Sequence, residues 1–288
     1  MFKTKIKTLF RDVASISLET ADPDLLAHIS FGYRNLLILA YTMPWVTETL
    51  GDQARTQVLT ARMLEAAERL AAHLDKDMTA ENRARYIVYL LHTLIFHYNP
   101  DHMQIAQNAA TEILDAITAK ESNKYLSLAN SPYICKILCY DYYFRSEKDS
   151  RKKAEHLLTQ WTEQLQQDGS WPEVPPDVAL QRLESYALYS DVADQNKYQT
   201  TLSKALRYYT ELPHITDEVR LLFVLAQTGT FSNYLQQVEQ IMNNVLEGKL
   251  SASASGSISD ANRTKNPQML KALQFHILAL YMLNTEKE

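Results

Sequence analysis

Glycine and cysteine are scarce in this chain, at 6 and 2 of 288 residues. Proteins ordinarily carry roughly 7% glycine, and a β-rich fold with many tight turns draws on it for left-handed backbone. The shortage argues against such a fold and favours helices joined by short loops. Cys135 and Cys139 lie four apart, on one face of an expected helix. Helix geometry is poor for joining them as a disulfide, and no second cysteine pair or paired histidines complete a zinc set. They read as buried free thiols.

Long apolar runs are missing too. Runs such as Leu36 to Tyr41 fall far short of the roughly 20 residues that span a bilayer. Met1 to Ser17 mixes Lys, Thr, Arg and Asp into its apolar positions, so it lacks the continuous apolar region of a secretory signal. The expectation is a cytoplasmic chain with no membrane partner. The formal charge of −5 and pI near 5.9 argue against a nucleic-acid surface, which needs a basic stripe. Lys3, Lys5, Lys7 and Arg11 are spaced like a solvated helix face. No G-x-S-x-G elbow, P-loop or dinucleotide glycine fingerprint is present. His92, His97 and His102 gather near one helix junction, but His92 and His97 are five apart, off the i, i+4 spacing of a helical metal pair. Neither a metal nor a cofactor is expected.

What the chain does have is well-marked helix starts. Asp22-Pro23, Asn99-Pro100, Ser131-Pro132 and Asn266-Pro267 each set a capping side chain before a proline suited to the first helical position. Thr79, Ser150, Thr216 and Ser232 are further expected caps, and Gly51 sits where a helix should end in left-handed backbone. Between these signals the apolar spacing is helical: Leu59, Met63, Leu64, Ala67 and Leu70 form one stripe, Ile87, Leu90, Leu91, Leu94 and Ile95 a second, Leu202, Ala205, Leu206 and Tyr209 a third. The expected helices run over 4–18, 22–43, 53–75, 80–98, 101–120, 132–145, 151–167, 177–190, 195–210, 217–228, 232–247 and 267–284. Several, such as 22–43 and 80–98, are apolar around much of their circumference, as in the inner layer of a double-layered helical array. The expectation is one α-helical domain over 1–288, with the Ser/Ala-rich stretch 248–265 as a mobile loop.

One stretch breaks the helical series: Gln166-Gln167-Asp168-Gly169-Ser170-Trp171-Pro172-Glu173. Gly169 permits the positive φ that ends a helix, Asp168 can bond backbone amides in the turn, and Trp171 can lay an indole over the helix ends. This string resembles the Q-x-D-G-S/G-W turn that joins helices in α/α-toroid proteins, among them terpenoid cyclases, six-hairpin glycosidases and the helical domains of polysaccharide lyases. The longer string Asp168 to Pro176 is similar to a D-G-x-W-x-E-G-P pattern of heparinase-like and chondroitinase-like lyase toroids, departing from it at Val174. A short toroid without a following β-sandwich is similar to the unsaturated glucuronyl hydrolases. The Asp-rich motifs of terpene enzymes are missing. The resemblance implies an all-α fold, an α/α toroid of about six hairpins. An α-solenoid and an irregular helical bundle are the alternative folds.

The function implied by the resemblance is that of a carbohydrate-active enzyme, a hydrolase or lyase acting on an oligosaccharide. A lyase abstracts a proton α to a carboxylate, and a hydrolase uses a carboxyl group as general acid. Glu173 and Asp177, four apart just after Trp171, are the candidate acid and base, with Asp141 in support. Trp171, Tyr143, Tyr186 and His97 are the candidate substrate-binding residues. The competing expectation is a non-catalytic helical toroid that binds a protein or peptide on its concave face. An enzyme should gather two or more carboxyl groups with aromatics in one deep pocket, with a perturbed acid among them; a binding module should not.

Overall fold

Proline-marked caps set many of the helix starts. A computed structural model of the chain describes residues 2–51, 56–74, 78–119, 126–194, 196–212, 218–248 and 266–285. Among them there is no β-strand, and thirteen α-helices follow one another. They are α1 (Phe2–Ala14), α2 (Pro23–Thr42), α3 (Pro44–Leu50), α4 (Thr56–His73), α5 (Ala80–Phe96), α6 (Pro100–Ala119) and α7 (Pro132–Arg145). After these come α8 (Lys148–Glu163), α9 (Pro176–Val192), α10 (Gln199–Glu211), α11 (Glu218–Gln227), α12 (Leu235–Leu246) and α13 (Pro267–Thr285). No described helix is long and apolar enough to cross a membrane.

The Asp22 carboxylate accepts from Leu25 N at 2.9 Å, and Ser131 Oγ from Ile134 N at 3.3 Å. Asn99 Oδ1 takes the amides of Asp101 and His102, Asn266 Oδ1 those of Gln268 and Met269, and Thr79 Oγ1 that of Asn82. Each bond satisfies a donor that the first helical turn leaves open. Two expected caps do something else. Ser150 lies inside α8, which begins at Lys148, and its hydroxyl donates to Asp141. Ser232 falls in a 3₁₀ turn, Phe231–Tyr234, that precedes α12. Gly51 has φ +63 but ψ −148, and it closes the short α3 behind Pro44 rather than the long helix before it. Thr216, and nearly all of the stretch 248–265 expected as a loop, lie outside the described residues.

The chain divides into two compact units: Met1–Lys76, His92–Met103 and Phe231–Glu288 make the first, and Asp77–Leu91 with Gln104–Thr230 the second. In the first, α2 packs along both α4 and α13, and α1 packs on α13. Both α2 and α13 are buried around most of their circumference. They meet so closely at Gly32 that a Cβ there would fall 2.5 Å from Phe275 Cδ1. Tyr33 and Phe275 pack edge to face at 5.5 Å, and Phe10 of α1 joins Tyr33 at 5.8 Å. The same pair of helices buries His28 against His276, Nδ1 to Nδ1 at 3.3 Å.

In the second unit α9 is the centre, packing on α7, α8, α10 and α11. Helix α8 also packs on α7, while α10 and α11 each meet α9. All four residues of the Leu202–Tyr209 stripe are buried, as are Leu59, Met63, Ala67, Leu70, Ile87, Leu90, Leu91 and Leu94. Leu64 and Ile95 are half-buried, at the edges of their stripes.

Candidate functional site

The turn between α8 and α9 is built as its residue types require. Gln166 N donates to Ser170 O at 2.9 Å, and Gly169 N to Gln166 O at 3.1 Å, closing a tight loop. Gly169 has φ +96, and a Cβ there would stand 2.4 Å from Lys204 O, so the turn rests directly on the backbone of α10. The Asp168 carboxylate accepts from Ser170 N at 2.9 Å and Ser170 Oγ at 2.7 Å. These bonds hold the carboxyl below its ordinary range, so it is ionised and has no proton to donate near neutral pH.

Trp171 faces inward and is 2% exposed. Its indole N–H donates to Trp161 O at 2.7 Å, and its backbone N–H to the Tyr209 hydroxyl at 3.1 Å. Tyr186 and Tyr209 stack on the indole at 6.3 and 5.9 Å, with rings 11° and 22° from parallel. The Arg182 guanidinium lies 5.6 Å from it and 5.1 Å from the Trp161 ring. A ring enclosed in this way is a post that fixes the turn, and it leaves no face on which a sugar can stack. Tyr186 belongs to the same post: it is 1% exposed, and its hydroxyl donates to Leu158 O at 2.6 Å.

The other expected site residues are dispersed. Glu173 is exposed on the loop beyond Trp171, and Asp177 is half-buried in the first turn of α9. Asp141 is buried near the end of α7, where it accepts from Arg145 and from Ser150 Oγ and so ties α7 to the start of α8. Tyr143 is 47% exposed, edge-on to Phe144. His97 is half-buried just past the end of α5, in the first unit, whereas all the others are in the second. Of the seven, the structure brings together Trp171 and Tyr186, and it does so inside the core.

Beside the turn lies a groove of about 850 Å³. Gln167 and Asp168 of the turn form one wall. The outer face of α10 forms the other, with Gln199, Ser203, Arg207 and Glu211 along one row and Thr200, Lys204 and Tyr208 along the next. No aliphatic side chain lines it. Arg207 Nε donates to Glu211 Oε1 at 3.2 Å, and Tyr208 stands half-buried, edge-on to Tyr209 at 5.1 Å. The rows at i and i+4 are the solvent side of the helix whose other side is the Leu202–Tyr209 stripe. That periodicity was available in the sequence; the apposition of the turn was not.

The groove therefore presents planar amides, a fixed carboxylate, hydroxyls, cations and one aromatic edge. Such a set exchanges hydrogen bonds with a polyhydroxylated ligand, with Tyr208 to cover an apolar patch. Comparison with protein-family models, with curated proteins and with solved structures finds no match to this chain.

Proposed function

We propose that this chain is a carbohydrate-active helical protein that takes an oligosaccharide in the groove between the Gln166–Trp171 turn and α10. The observation that carries this reading is the lining: every side chain in it is polar or charged, and Tyr208 supplies the aromatic edge. A peptide helix docking in a groove needs apolar anchors at i, i+3, i+4 and i+7, and this groove has no aliphatic seat for them. Binding is better supported than bond cleavage. A hydrolase needs a carboxyl group that keeps its proton near neutral pH, and Asp168 is held ionised by Ser170.

An α/α toroid of about six hairpins belongs to the same proposal. Its support in the second unit is the burial pattern: α7 and α9 are buried around most of their circumference, while α8 and α10, packed on α9, each bury a single stripe. Its support in the first is that α13, the last helix, packs along α1 and α2, the first two. In an open solenoid a repeat contacts only its neighbours in the chain, and α1 and α13 are not neighbours.

Titration with neutral and uronate-containing oligosaccharides, read by calorimetry, tests the reading. At least one should bind, and Tyr208→Ala with Gln199→Ala should weaken it at least tenfold without lowering the melting temperature by more than a few degrees. If no saccharide binds, or the double variant binds as wild type does, the groove is not a sugar site.

A further inference from the structure

The lining of the α10 groove carries two cations and two carboxylates, Lys204 and Arg207 against Asp168 and Glu211. Each charge has its opposite within the groove. Arg207 Nε donates to Glu211 Oε1 at 3.2 Å. The turn rests on Lys204, since a Cβ at Gly169 would stand 2.4 Å from Lys204 O, and this seats Asp168, the residue before Gly169, beside that turn of α10. Ser170 holds the Asp168 carboxyl below its ordinary range, and the Lys204 charge adds to that hold. Both Ser170 bonds fall on Asp168 Oδ1, and the Arg207 bond falls on Glu211 Oε1. Among the described residues, Asp168 Oδ2 and Glu211 Oε2 therefore remain open to a ligand.

An ionised carboxylate accepts hydrogen bonds and donates none, so these two oxygens call for donors. The hydroxyls of an uncharged sugar supply them, and hydrogen bonds to a charged acceptor are about twice as strong as neutral ones. The amides of Gln167 and Gln199 and the hydroxyls of Thr200 and Ser203 donate or accept as the other sugar hydroxyls require. A uronate meets the opposite situation. Its carboxylate has no proton to give at neutral pH, and it can draw on Lys204 or Arg207 only by sharing a cation that already serves Asp168 or Glu211. Like charges would then crowd one groove, which costs affinity. We propose, on the reading of this groove as a saccharide site, that it selects an uncharged oligosaccharide over a uronate one, and that Asp168 and Glu211 set the choice.

The test is calorimetric titration of the full chain with matched pairs of oligosaccharides. Each pair is a gluco-, manno- or galacto-oligosaccharide and the compound of the same length and linkage with every C6 oxidised to a carboxylate. The uncharged member of at least one pair should bind wild type about tenfold or more tighter than its oxidised partner. Asp168→Asn keeps an oxygen that can accept from Ser170, and Glu211→Gln changes an exposed side chain, so both should fold. Together they release Lys204 and Arg207, and the double variant should close the gap or reverse it. Should Asp168→Asn loosen the turn, seen as a lowered melting temperature, Glu211→Gln alone carries the test and should narrow the gap. If the two members bind wild type equally, if the oxidised one binds tighter, or if the variants keep the wild-type preference, the proposal is overturned while the saccharide site stands. If no saccharide of either kind binds, the groove is not a sugar site and the proposal falls with it.

Discussion

Replacing Gly169 with alanine tests the seat of the central turn, and Gly229 provides its control. Both glycines have positive φ, +96 at Gly169 and +64 at Gly229. Left-handed backbone costs a residue with a Cβ roughly 1–2 kcal/mol. At Gly229 nothing stands within 4 Å of the added methyl, so Gly229→Ala should cost about that much. At Gly169 the methyl would stand 2.4 Å from Lys204 O and 3.1 Å from Tyr208 Cβ. The first obstacle is backbone inside α10, which cannot rotate aside as a side chain can. Overpacking of this kind adds roughly 1–3 kcal/mol, so Gly169→Ala should cost about 2–5 kcal/mol in all. Urea unfolding followed by tryptophan fluorescence measures both, since Trp161 and Trp171 adjoin the turn. The quantity that decides is the difference between the variants. If the two lose equal stability, the close approach of the turn to α10 contributes nothing and the reasoning fails. Gly169→Ala should also push the turn off α10 and weaken any ligand of the groove.

Acid should destabilise the first unit. Burial, then His28 and Arg34, hold the His276 imidazole well below its ordinary value of 6.5. Its neutral form is the one the fold keeps, so the unfolded chain binds more protons on acidification. The stability this confers is complete above pH about 6.5 and is lost progressively below it; a pH series of melting curves should show the loss, and His276→Gln should flatten it. Trp171→Phe keeps an aromatic ring but removes the N–H that bonds Trp161 O, and it should cost about 1–3 kcal/mol of unfolding free energy. Were the indole instead a sugar platform, the same change would lower affinity for an oligosaccharide and leave stability untouched.

Much of the secondary structure was legible in the chain because its causes are local. Asp22, Ser131, Asn99 and Asn266 cap amides two or three residues away, and apolar spacing of three and four needs no distant partner to be recognised. The short α3 was missed because seven residues are too few for a periodicity to declare itself. Ser150 was misplaced as a cap because its hydroxyl could serve either an amide or a neighbouring carboxylate, and Asp141, held close by the packing of α7 on α8, takes it.

The turn shows where local information ends. Its residues determined its shape: the positive φ of Gly169 and the Asp168–Ser170 bonds involve neighbours two residues apart at most. They did not determine the side to which Trp171 points. That follows from Tyr209, 38 positions along the chain, and from Tyr186 on the next helix, which together bury the indole. Lys136 stands alone in an apolar run, and only the packing of α7 and α11 on α9 brings Glu184 and Arg220 to it. His28 meets His276 across 248 residues. Helix identity, the proline-marked caps and turn chemistry were set by the sequence alone, because hydrogen bonds within a few residues specify them. Which polar groups share a site was decided by tertiary packing, because burial and charge balance depend on groups that the chain keeps far apart until it folds.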